Sequence, residues 1–143
     1  MTTKVVFKRA EFESQMADIL NDALTEAAAI GADGAQREIK ARAPIAGRPI
    51  GRGGGAVSKA GESPTTQLGV LRNSVSFTEA RALRAAVGSN LPYARFLELG
   101  TSTMQPRPWL KRGVIKSRDR MQRVFTAIAR KGFERINLNA RVA

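Results

Sequence analysis

Glu98 comes closest, by residue type and setting, to a group that could do chemistry. It is a carboxylate beside Leu99-Gly100-Thr101, with Arg95 before it and Arg107 after it. General acid–base work needs a second group brought within reach, and the nearest carboxylates, Glu79 and Asp119, stand at no spacing that predicts convergence. The 143 residues contain neither histidine nor cysteine. That removes the usual base at neutral pH, the Ser-His and Cys-His dyads, imidazole and thiolate metal sites, and any disulfide framework. Ser74 and Ser89 have no base beside them and no nucleophile elbow. The glycine-rich run containing Arg52 and Lys59 lacks P-loop spacing, and no strand precedes it. A lone carboxylate among arginines reads as an ion-pair partner. The sequence therefore predicts no enzyme, no cofactor and no metal. An enzyme built on two convergent carboxylates is the reading this leaves as a rival.

Charge carries the stronger signal. Lys and Arg number 24 against 12 Asp and Glu, a net charge of +12. Residues 1–32 carry three basic and five acidic groups, whereas residues 106–143 carry eleven and two. Such asymmetry points the C-terminal third toward an anionic partner, nucleic acid or an acidic protein surface. With one Trp, one Tyr and six Phe, the chain lacks the alternating aromatics of an RNA-reading sheet. Phosphate contact through charge alone stays open, and a small basic cytoplasmic nucleic-acid-binding protein is the alternative function.

These residues must be positioned by a few elements. Phe12, Met16, Ile19, Leu20, Ala23, Leu24, Ala27 and Ile30 keep helical rhythm, predicting one helix from about Glu11 to Arg42 with a bend or close packing at Gly31 and Gly34. Ala43-Pro44 ends it. Residues 44–67 hold three of six prolines and six of thirteen glycines, which reads as a long flexible loop, mobile over 47–62. Val70–Thr78 and Arg84–Ser89 read as an antiparallel pair of strands. A short helix then runs over Tyr93–Leu99 and stops at Gly100, with Thr101–Gln105 extended as a third strand. A basic amphipathic helix runs from about Pro108 to Ile136, its apolar stripe at Leu110, Val114, Met121, Val124, Phe125, Ile128 and Phe133. The tail beyond is expected to fray. The fold class is α+β: one domain over 1–143, a small antiparallel sheet flanked by a long N-terminal helix and a basic C-terminal one. No window is apolar enough to span a bilayer and the N-terminus does not read as a secretory signal.

Residues 68–113 resemble the head–tail joining proteins of lambda-like siphophages, the neck or tail-completion family. The likeness rests on an ordered set: Gly69, Leu71, Arg72 and Ser74; Val87-Gly88; Pro92 to Thr101; and Pro106-Arg107-Pro108-Trp109-Leu110. Relatives of this type pass quickly from the first helix to the first strand, so the twenty or so residues inserted after Ala43-Pro44-Ile45 are a departure whose role the resemblance does not supply.

The resemblance implies a structural virion protein, not an enzyme, assembled in the host cytoplasm. It implies a homo-oligomeric ring, six-fold first and twelve-fold second, with the head connector or stopper on one side and the tail terminator or tail tube on the other. Genomic DNA would pass through the lumen, with no membrane involved. Tyr93, Phe96, Gly100 and Trp109 are expected to form the motif core, the aromatics buried and clamping the short helix to the sheet. Glu98 is expected to pair with Arg95 and Arg107, within the subunit or across a ring neighbour. Arg112, Lys116, Arg120 and Arg123 share a helical face that has nothing to bury against and should meet solvent, DNA or an acidic neighbour. Arg48 and Arg52 join them as channel candidates from the loop.

Overall fold

The computed structural model describes residues 9–41, 58–66 and 69–142. Helix α1 spans Arg9–Glu38 and α4 spans Leu110–Val142. Between them come β1 (Lys40–Ala41), β2 (Thr65–Thr66), α2 (Val70–Asn73), β3 (Val75–Phe77), β4 (Val87–Ser89) and α3 (Pro92–Leu99). β3 and β4 pair antiparallel, with Ser76 opposite Gly88, and β1 and β2 form a separate parallel pair. The class is α+β, as expected.

Helices α1 and α4 lie antiparallel: Gly34 meets Ser117, Gly31 meets Met121 and Ile19 meets Gly132. Small residues set their separation. Ala23, Ala27, Gly31, Gly34 and Ala35 are buried on α1, and Gly113 and Ala129 on α4. A Cβ at Gly34 would lie 2.6 Å from the Gly113 carbonyl oxygen, and one at Gly113 would run into the backbone of Gly34 and Ala35. Backbones approach this closely only where side chains are missing. The glycines of α1 therefore mark close packing, and the helix is continuous through both.

The sheet side of α1 builds the core. Ala32, Ala35 and Ile39 join Leu71, Val75, Ala94 and Trp109, with Val87, Leu91, Leu97 and Leu110 packed around them. The β3–β4 hairpin turns at Ala82 and Leu83, both at positive φ (49° and 58°), inside paired Arg81–Arg84 backbone hydrogen bonds of 3.0 Å. Two residues at positive φ are the geometry that matches strand twist. Helix α1 holds this turn: the Thr25 hydroxyl accepts from the Ala80 N–H at 2.9 Å and the Asn21 side-chain oxygen from the Leu83 N–H at 3.0 Å.

Several expectations need correction. The first helix ends at Glu38 and the last continues to Val142. Val70–Asn73 is a helical turn, entered through Gly69 at φ 73°, so the strand is confined to Val75–Phe77. Thr101–Gln105 is a tight turn, closed by Thr101 N–H to the Met104 carbonyl at 2.8 Å. The end of the long loop is held in place: Ser58 and Ser63 are buried, and the Gly61 N–H reaches the Pro106 carbonyl at 3.0 Å. Arg48, Arg52 and most of the expected mobile stretch lie outside the described residues.

Candidate assembly surface

The distinctive segment from Pro92 to Leu110 turns out to be a clasp between α3 and α4. Glu98 sits on the inner side of α3 and points at the first turn of α4. Its Oε2 accepts from the Trp109 N–H at 2.7 Å and the Leu110 N–H at 2.9 Å, and its Oε1 from the Lys111 N–H at 3.0 Å. A helix start leaves such N–H groups without intrahelical partners, and a carboxylate there satisfies them while facing the positive end of the helix dipole. Within the subunit, the expected ion pairs of Glu98 with Arg95 and Arg107 do not form. Capping three amides is a better use of a half-buried carboxylate than a solvent-screened pair. Arg107 instead donates from Nη1 to the Ser58 hydroxyl at 3.2 Å, and its backbone N–H binds the Leu97 carbonyl at 2.7 Å.

The turn between the helices needs Gly100. It stands at φ 76°, and a Cβ there would lie 2.7 Å from the Met104 carbonyl oxygen. The Thr101 hydroxyl accepts from the Met104 N–H at 3.0 Å and holds the reversal. Trp109 is 2% exposed at the centre of the core. The clasp makes a direct prediction. Glu98→Ala should destabilise the fold by about 2–3 kcal/mol, a lost cap combined with a lost dipole partner. Urea unfolding reads the loss, and hydrogen exchange should show the Trp109, Leu110 and Lys111 amides losing protection first. Unchanged protection at those amides would contradict the capping role.

Tyr93 and Phe96 do not belong to the core. They are 43% and 52% exposed, and Leu99 is 65% exposed. On a helix of eight residues the face carrying Ala94, Leu97 and Glu98 already meets the protein, so positions 93, 96 and 99 are directed outward. This outward apolar stripe is what the sequence reading missed: aromatics at helical spacing looked like core residues. Beside the clasp, α1, the hairpin and α4 bound a largely apolar trough of about 520 Å³, whose lining includes Leu24, Val87, Val114 and Met121 together with Glu98 and Lys111. It continues into a section of about 330 Å³ reaching Phe125, with Arg118 on its lining. Ile115, 59% exposed, lines both sections.

The basic face of α4 is only partly free. Lys116 Nζ lies 2.5 Å from Glu38 Oε1, and Arg120 Nη1 lies 3.3 Å from Asp33 Oδ2. Both bases therefore tie α4 to α1, against the expectation that this whole face is unengaged. Burial pushes the Glu38 carboxyl up, but the Lys116 and Ser63 hydrogen bonds and the charges of Lys116 and Arg112 outweigh it and hold it below its ordinary value. Arg112 and Arg123 are exposed and make no ion pair with a described residue. Arg95 is exposed on α3. No described helix is long and apolar enough to cross a membrane.

The described residues contain no group of three or more acidic side chains arranged to hold a metal ion. What they present is apolar and charged surface around a rigid clasp, the makings of protein–protein contact. No curated protein and no solved structure matches the chain. Residues 7–100, from α1 through the α3 segment to Gly100, match the family model described as "Bacteriophage HK97-gp10, putative tail-component", and the chain belongs to this family of phage tail-related structural proteins.

Proposed function

We propose that the chain is a neck or tail-completion subunit that joins the DNA-filled head to the tail as part of a closed ring. The observation that carries this reading is the outward stripe of Tyr93, Phe96 and Leu99. It stands on the same segment whose inner side, through Glu98, fixes the start of α4. An apolar stripe on a braced helix is costly in an isolated soluble protein and useful at a contact made once and kept. Six-fold symmetry matching the tail is favoured and twelve-fold matching the portal is second, since head-to-tail contacts about an axis close into rings. The connector and the tail terminator or tube are the neighbours, and the genome passes through the lumen. Arg95, Arg112 and Arg123, without an ion pair among the described residues, are the contact candidates; Lys116 and Arg120 already face Glu38 and Asp33 of α1.

Removing the gene from its phage should leave DNA-filled heads and free tails that do not join. Adding the purified protein to a mixture of the two should restore infectious particles. Protein carrying Phe96→Ser and Leu99→Ser should fold and fail to join them. Normal particles without the gene would refute the proposal, and so would full rescue by the double variant.

A further inference from the structure

Helix α1 carries an acidic ridge that no described residue of the chain pairs with. Asp18, Asp22 and Glu26 recur at steps of four, so they form one row along the helix. All three are exposed, and none makes an ion pair with a described residue. Each stands one position before a residue turned inward, namely Ile19 against Gly132 and buried Ala23 and Ala27. The acids of α1 nearer its C-terminus differ: Asp33 and Glu38 reach Arg120 and Lys116 on α4.

On the exposed flank of α4, Asp119, Gln122, Arg123, Thr126, Ala127 and Arg130 line a shallow, open groove along one stripe of the helix. Thr126 and Ala127 are the smallest of these side chains and separate Arg123 from Arg130. Among the described residues Arg123 has no carboxylate partner, and Arg130 pairs only with Glu134 on its own helix, at 2.9 Å and largely in solvent. Such an exposed pair holds its arginine weakly. The dimensions agree: at 1.5 Å per residue, Asp18 to Glu26 spans about 12 Å and Arg123 to Arg130 about 10.5 Å.

We infer that this groove on α4 receives the acidic ridge of α1 from a second copy of the chain. The inference rests on the assembly reading above and names the surfaces used. Every copy presents both the ridge and the groove, so one contact leaves a free ridge on one copy and a free groove on the other. Asp119 closes one end of the groove and confines its positive part to Arg123 and Arg130. Carboxylates of the ridge then replace the weak Arg130–Glu134 contact and give Arg123 a partner.

The test uses two charge-reversed proteins. One carries Asp18→Arg, Asp22→Arg and Glu26→Arg; the other carries Arg123→Glu and Arg130→Glu. Both should keep the wild-type circular dichroism, since all five positions are exposed. Each alone should associate about 100-fold more weakly than wild type, because like charges face each other. Mixed in equal amounts, they should assemble again, each ridge meeting the opposite charge on its partner. Sedimentation at low salt reads all three states, and wild-type association should weaken as salt rises. Reversed proteins that associate like wild type, or a mixture that stays dispersed, would overturn the inference. A monomeric wild-type chain that binds duplex DNA through Arg123 and Arg130 would overturn it as well. Joining of heads to tails by either reversed protein would contradict these surfaces while leaving the joining function standing.

Discussion

Trp109→Ala should destabilise the protein by about 3–5 kcal/mol, the range for removing a large aromatic from a close-packed core. Trp109 is the largest fully buried side chain and lies among Ala32, Ala35, Ile39, Leu71, Val75 and Ala94. Half of these neighbours are alanines, too short to fill the space left by an indole. It also begins the turn that Glu98 caps, so the cavity opens beside the clasp. Denaturant unfolding monitored by circular dichroism measures the loss. A variant of normal stability that fails only in joining heads to tails would make Trp109 a contact residue and remove it from the core.

A second large effect is expected at Gly113. Valine there would put a branched side chain where α4 meets the backbone of Gly34 and Ala35, with Gly34 C only 2.6 Å from an added Cβ. Backbone atoms have no rotamer with which to give way, so the helices must separate. The cost should be about 3 kcal/mol, at the upper end for overpacking, and it exceeds the roughly 0.5 kcal/mol of helix propensity that valine gains over glycine. Gly88→Ala is the control, because nothing lies within 4 Å of a Cβ at that position. Thermal melts should show a large drop for Gly113→Val and little change for Gly88→Ala. Equal melting of the two would contradict the close contact of α1 and α4.

The long helices were legible because apolar periodicity of 3.6 survives in sequence, and α3 because Pro92 and Gly100 bracket it. The true seam between α1 and α4 was not. Periodicity weighs apolar bulk, and the stripe from Leu110 to Phe133 is only half-buried, while Gly113, Ser117 and Gly132 make the closest approach. The parallel pair of Lys40–Ala41 with Thr65–Thr66 is two residues long on each side and follows a loop of irregular composition, so no period marks it.

The setting of Glu98 stands out in the sequence, but its task does not. Capping depends on α3 folding back so that position 98 meets positions 109–111, a contact across the Gly100 turn that spacing alone does not reveal. The outward stripe failed for a different reason: Tyr93 and Phe96 are residue types that favour burial, and only the inward placement of Ala94, Leu97 and Glu98 decides which side of α3 they occupy. A helical wheel of α4 shows no partner for Lys116 and Arg120, because Glu38 and Asp33 come from α1 across the seam.

The most direct test is an image of the phage particle with this chain located in it, by electron microscopy at side-chain resolution. The account predicts a closed ring of copies at the junction of head and tail, with Tyr93, Phe96 and Leu99 against a neighbouring protein. Density for the chain along the tail tube or inside the head, or its absence from the particle, would contradict it.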